Sequence, residues 1–119
     1  MEPQFRMLEV ARWPQAVRIE WEREVLDDET TTPLEYMDES DDKERIAAWR
    51  AGDWGFVGVR AKATIYVPAG GGNFTTYTLT SAGLWGVESD SGEEYFASIF
   101  EDEQSGLIAD LKKIGEHFA

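Results

Sequence analysis

The chain predicts an α+β fold: an antiparallel sheet of three or four strands, a helical insertion after the first strand, and a C-terminal amphipathic helix packed on one face. Three observations carry this. Residues 16–25 alternate between apolar and charged side chains. Residues 54–80 hold two β-rich runs around a glycine-rich break. From residue 96 onward, apolar side chains recur at spacings of three, four and seven.

In the first segment, AVRIEWEREV, Val17, Ile19 and Trp21 fall on one side and Arg18, Glu20 and Glu22 on the other, the period of a half-buried strand. Thr32-Pro33-Leu34-Glu35 then has the form of a capping box with proline at the first helical position, which predicts a short helix over 33–38. Ser40 is placed to cap a second helix over 41–51, with Asp41 and Asp42 in its first turn, Ile46 and Trp49 facing the core, and Gly52 as its stop.

The clearest strand runs through WGFVGVRAKATIYVPAG. Val57, Val59, Ala61, Ala63, Ile65 and Val67 make one face; Arg60, Lys62, Thr64 and Tyr66 make the other. Pro68 and the run Gly70-Gly71-Gly72-Asn73 break it, and FTTYTLT resumes as a strand over 74–80, giving a hairpin with a loop of about six residues. LWGVE, 84–88, reads as another short strand. Ser91-Gly92-Glu93-Glu94 has the form of a second capping box, opening the last helix. Phe96, Phe100, Leu107, Leu111, Ile114 and Phe118 form its apolar stripe, widened by Tyr95, Ile99 and Ile108, with Gly106 as a point where it kinks or splits.

The length of 119 residues fits one domain, 1–119, with no internal repeat and no linker. Five Trp, six Phe and four Tyr separate the chain from disordered acidic tails, which lack aromatic residues. No apolar run reaches the ~20 residues of a membrane span, and residues 1–16 have no signal-peptide pattern. The absence of cysteine removes disulfides, thiolate metal sites and cysteine nucleophiles, and fits a reducing cytoplasm.

No catalytic constellation stands out. Glu88-Ser89-Asp90-Ser91-Gly92 suggests a calcium loop, but with Gly92 sixth the first position is Val87 and the twelfth Ser98, neither of which ligates. His117 lies two residues from the C-terminus, where a cation complements the helix dipole. Gly70-Gly71-Gly72 lacks the Lys-Ser/Thr of a phosphate loop and joins strand to strand. The expectation is therefore no enzyme, no cofactor and no metal. Trp21, Trp49, Trp54 and Trp85 read as core or core rim, and Trp13, before Pro14, as exposed.

Charge is what sets this sequence apart. The formal net charge is −13, from 24 acids against 11 bases. Residues 24–44 hold ten acids with Lys43 as their one base, and residues 88–103 hold seven acids and no base, so these two segments contain 17 of the 24 acids. A solvated face is the ordinary reading of a charge run. Here the charge is large and concentrated, and holding it on a compact body works against self-repulsion. Such a surface repels nucleic acid and anionic lipid and attracts a basic protein, whose DNA- or RNA-binding groove an ordered array of carboxylates can occupy. The residues assigned to this role are Asp27, Asp28, Glu29, Asp38, Glu39, Asp41, Asp42 and Glu44, with Glu88, Asp90, Glu93, Glu94, Glu101, Asp102 and Glu103 as a second patch.

Asp53-Trp54-Gly55-Phe56-Val57-Gly58-Val59-Arg60-Ala61 and the run from Leu79 to Gly92 (LTSAGLWGVESDSG) resemble a group of small acidic proteins of phages, prophages and plasmids, over roughly residues 50–115. The group brings no catalytic residues with it. Its setting implies an accessory role, and by analogy a block on host defence of the anti-CRISPR or anti-restriction kind. The sequence thus points to a non-enzymatic inhibitor, with a basic nucleic-acid-binding protein, such as a CRISPR effector, as partner. Two other readings stand beside it: a structural or assembly protein of a phage or plasmid acting through aromatic and sheet-edge surfaces, which self-association favours, and a small hydrolase with a buried carboxylate pair, which a deep acidic pocket favours.

Overall fold

A computed structural model describes residues 18–117, with side chains through 113. Val17, Trp13, Phe118 and the side chains of Ile114 and His117 lie outside what it describes. The elements are β1 (Arg18–Asp27), a 3₁₀ turn (Pro33–Glu35), α1 (Lys43–Arg50), β2 (Phe56–Gly70), β3 (Asn73–Thr80), β4 (Leu84–Glu88) and α2 (Glu93–His117). The architecture is mixed α+β: a four-stranded antiparallel sheet with its C-terminal helix packed on one face.

β2 is the centre of the sheet. On one edge it pairs with all of β1, from Tyr66 opposite Arg18 to Val57 opposite Asp27. On the other edge it pairs first with β4, over 56–59, and then with β3, over 62–70. β3 and β4 therefore share one edge in tandem. The junction between them is bridged at Ala61, whose carbonyl accepts from the Ser81 N–H at 2.8 Å and whose N–H donates to Ser81 Oγ at 2.9 Å.

The period-two expectation holds along β2. Val57, Val59, Ala61, Ala63 and Ile65 are buried, and with Ile19 and Trp21 of β1 and Val87 of β4 they receive Ile99, Phe100, Leu107 and Leu111 of α2. Ala61 and Ala63 share one buried cluster with Trp21 of β1 and with Phe100, Leu107 and Leu111 of α2, so small side chains on β2 lie among large ones. α2 is one helix through Gly106, and that glycine has open space around it. Tyr95 falls off the stripe, 48% exposed. Phe56, one residue out of phase with the buried row, faces the opposite side, where Trp54 meets its ring edge-on at 5.1 Å and Tyr36 lies at 6.3 Å.

Five local expectations are corrected. The hairpin loop is two residues, Gly71 and Gly72, with φ of +61° and +80°, the positive pair of a type I′ turn. β2 runs through Pro68, which lies opposite Phe74 of β3; among the described residues β1 pairs with β2 as far as Tyr66. The segment over 33–38 is only a 3₁₀ turn, because Thr32 makes no side-chain cap bond. Ser40 caps nothing: its N–H and Oγ both donate to Asp38, and the helix starts later, at Lys43. Ser91 likewise turns away from α2, donating its Oγ to the Glu88 carbonyl at 2.6 Å, and Gly92 accepts the first helical bond, from Phe96. Gly52 behaves as expected. With φ +83°, it closes α1 by its own N–H to the Trp49 carbonyl and that of Asp53 to Ala48, a Schellman pair.

Replacing Gly106 with alanine should raise stability by about 1 kcal/mol, because the position is helical, exposed and unobstructed. Leu111→Ala, at a fully buried site, should cost about 2–5 kcal/mol. Urea denaturation of both variants checks the pair; a destabilised Gly106→Ala would mean the helix is broken there.

Candidate functional site

The acidic segment 27–44 is ordered by its own carboxylates. Asp28 is buried, and its Oδ1 accepts from the Thr30 N–H at 3.1 Å, Thr30 Oγ1 at 2.8 Å and the Thr31 N–H at 3.3 Å. Its Oδ2 accepts from Thr31 Oγ1 at 2.7 Å and from the Gly86 N–H, in β4, at 2.9 Å. The two threonine hydroxyls, and then the backbone donors, hold this carboxyl down to about 2, against the partial burial that opposes them. Ten residues on, Asp38 repeats the device. Its Oδ1 accepts from Ser40 N–H and Oγ and from the Asp41 N–H, and its pKa is lowered chiefly by the Ser40 hydroxyl. Its own N–H donates to Asp42 Oδ2 at 2.9 Å. Asx turns of this kind need only a short carboxylate followed two residues later by a donor.

The two acidic segments meet through Arg45. Its guanidinium donates to Glu88 Oε1 from Nε (3.2 Å) and Nη2 (2.6 Å), and to both Asp90 oxygens, each at 2.7 Å. The Asp90 carboxyl is held below the usual range by that fork. The guanidinium also lies 3.7 Å from the centre of the Trp54 ring, and the Trp54 indole N–H donates to the Arg45 carbonyl at 3.0 Å. Nearby, Gly55 and Ser89 exchange two hydrogen bonds. One arginine, held by one tryptophan, thus binds α1 to the turn before α2. A second arginine, Arg23 of β1, grips Glu93 at the start of α2 with bonds of 2.5 and 2.9 Å, and lowers its pKa.

The fifteen assigned residues divide by what they touch. Asp28, Asp38, Asp42, Glu88, Asp90, Glu93 and Glu103 are committed to internal hydrogen bonds; Glu103 accepts from the Gly83 N–H at 2.6 Å. Asp28 in particular is buried and cannot display its charge. Asp27, Glu29, Glu39, Asp41, Glu44, Glu94, Glu101 and Asp102 are exposed. Segment 38–44 and residues 88–94 are brought to one end of the sheet, beside the start of β2, whereas 101–103 lie about two helical turns further along α2.

Sequence reading missed the arginines and the aromatic side chains among these acids. Tyr36 is 69% exposed and Trp85 44%, so Trp85 is a surface residue and not core. The Trp85 ring lies flat against Gly58, where a Cβ would sit 2.2 Å from it. The signal was present in the sequence: a glycine inside an otherwise β-branched run marks a close approach. Arg45 had no such signal, because its partners are 43 and 45 residues away.

Among the described residues, no group of three or more His, Asp or Glu is gathered as a metal ion requires. Asp28 is the one buried carboxylate there, and its pKa is moved down, the wrong direction for a general acid. An open groove lies beside Trp21, Arg23, Glu93, Phe100 and Glu101. No helix among the described residues is long and apolar enough to cross a membrane. Comparison of the chain with family models, with curated proteins and with solved structures finds no match.

Because the folded-state pKa of Asp28 is depressed, its stabilisation is complete above the unfolded value near 4 and is lost as pH falls towards 2. Asp28→Ala should therefore lower the thermal midpoint by several degrees at neutral pH, and the gap to the parent chain should close on acidification through about pH 4 to 2. Thermal melts across that range test this; a gap that persists at the lowest pH would assign the loss to packing instead. Arg45→Met should also lower the midpoint, and by more at low salt than at high salt, because it leaves Glu88 and Asp90 unpaired among other acids.

Proposed function

We propose that this chain is a non-enzymatic inhibitor from a mobile genetic element, which occupies the basic nucleic-acid-binding surface of a host defence protein in the manner of an anti-CRISPR protein. The observation that supports this most is the Arg45 fork. It holds acids from two distant segments together at one end of the fold, with Glu39, Asp41, Glu44 and Glu94 left exposed around it. Arginine neutralises two of the acids and fixes the remainder in place, so the surface keeps a strong negative field at low conformational-entropy cost on binding.

Tyr36 and Trp85 add what a purely solubilising face does not need. Exposed aromatic side chains among carboxylates are the composition of an interface that takes arginine and lysine, by ion pairing and by cation–π contact. The bound partner is then a cationic groove, and inhibition is steric: the acids stand where phosphates would.

The test is capture from host lysate on the immobilised chain, with competition by DNA or RNA. Reversing Glu39, Asp41 and Glu44 together to lysine should abolish capture of a basic, nucleic-acid-binding protein, whereas any one reversal should weaken it only a few-fold. Binding should fall by roughly tenfold or more as salt rises from low to physiological strength. Salt-independent capture, or capture that the triple reversal leaves intact, would remove the proposal.

A further inference from the structure

The chain has a second surface with the opposite character. Residues 63–87 contain no Asp, Glu, Lys, Arg or His, in a protein of net charge −13. Within them lies β3, Asn73–Thr80, bonded to β2 on one side and to no strand on the other among the described residues. All of β3 except Leu79 is exposed, including Phe74 at 56% and Tyr77 at 51%. Free strand edges invite pairing with another chain, and proteins blunt them with charges, prolines or bulges. The outer edge of β1, which pairs with no other strand among the described residues, is blunted in that way by Arg18, Glu20, Glu22, Arg23 and Glu24. β3 carries none of these devices.

We infer that β3 is the edge along which two copies of this chain pair, antiparallel and two-fold, to form one continuous sheet. Three features select a second copy as the occupant. A two-fold contact places a surface against itself, so a charged edge meets like charge, and β3 is the uncharged one. Its threonines and aromatic residues are self-complementary: with the axis at Tyr77, Phe74 faces Thr80, Thr75 faces Leu79, Thr76 faces Thr78, and Tyr77 faces its own copy. This register also keeps each copy's face consistent, since Thr75, Tyr77 and Leu79 lie on the α2 side, as their partners Val67, Ile65 and Ala63 do.

The third feature is electrostatic separation. Tyr77 lies opposite Ile65, and the acidic end of the sheet begins at Val57, eight residues along β2. At ~3.3 Å per residue that is about 26 Å. The antiparallel two-fold sends the acidic ends in opposite directions, about 50 Å apart, several times the ~8 Å screening length at physiological salt. The assembly thus presents two separate acidic faces.

The experiment uses the full chain. Sedimentation or light scattering from micromolar to millimolar concentration should show the mass rise from 13.5 kDa to twice that value, more readily as salt is raised, since salt screens the like charge of the two copies. Partner capture by the acidic face has the reverse salt dependence, so failure of one proposal is distinguishable from failure of the other. Because the chain contains no cysteine, Tyr77→Cys gives a clean register test. It should cross-link to itself under mild oxidation at least several-fold faster than Thr75→Cys, which this register sets beyond disulfide reach of its own copy. Tyr77→Glu should return the chain to monomer with its circular dichroism unchanged. A monomer at every concentration and salt would overturn the inference and leave the edge to a foreign strand. Equal cross-linking at 75 and 77, assemblies larger than two, or a dimer that survives Tyr77→Glu would overturn it as well.

Discussion

β2 is hydrogen-bonded on both of its edges, and each other described strand reaches the sheet only through it. Its registers with β1, β3 and β4 place the row Val57, Val59, Ala61, Ala63, Ile65 under α2, and a slip of one residue would turn that row to solvent. The same registers set Asp27 and Val87 on either side of Val57, which is why the two acidic segments arrive at one end of the molecule. Core and candidate site are thus consequences of the same strand pairing.

At the acidic end, polar contacts are laid over the buried side chains of Ile46, Trp54 and Phe56. Asp28 accepts four hydrogen bonds from Thr30 and Thr31 and a fifth from Gly86, which ties the exit of β1 to β4, and Arg45 ties α1 to Glu88 of β4 and to the turn beyond it. Each contact uses up negative charge in order to position the rest. A chain selected only for solubility gains nothing from fixing its carboxylates, since mobile ones hydrate as well and lose less entropy. That asymmetry is the physical basis for reading the acidic end as a binding face.

The other end is built on different terms. Beyond Lys62 the hairpin keeps Ala63 and Ile65 in the core with Leu107 and Leu111, and adds the Tyr66–Phe74 edge contact at 6.5 Å and the Arg18 guanidinium 4.5 Å from the centre of the Tyr66 ring. The molecule thus carries concentrated negative charge at one end and an uncharged strand edge at the other.

Periodicity was readable from the sequence because it records local burial. The alternation through Ile19 and Trp21, the buried row of β2 and the stripe of Ile99, Phe100, Leu107 and Leu111 all appear where their spacing places them. Thr32, Ser40 and Ser91 do not cap, because a hydroxyl near a helix start can turn to donate to a local acceptor instead of accepting from the helix N–H groups, as Ser40 does to Asp38 and Ser91 to the Glu88 carbonyl. The sequence by itself determined the fold class, the strand faces and the amount of negative charge. Only the tertiary structure decided which carboxylates stay free, which are consumed by Arg45, Arg23 and the Asp28 turn, and that Trp85 lies outside, since those outcomes depend on partners tens of residues apart that no local pattern encodes.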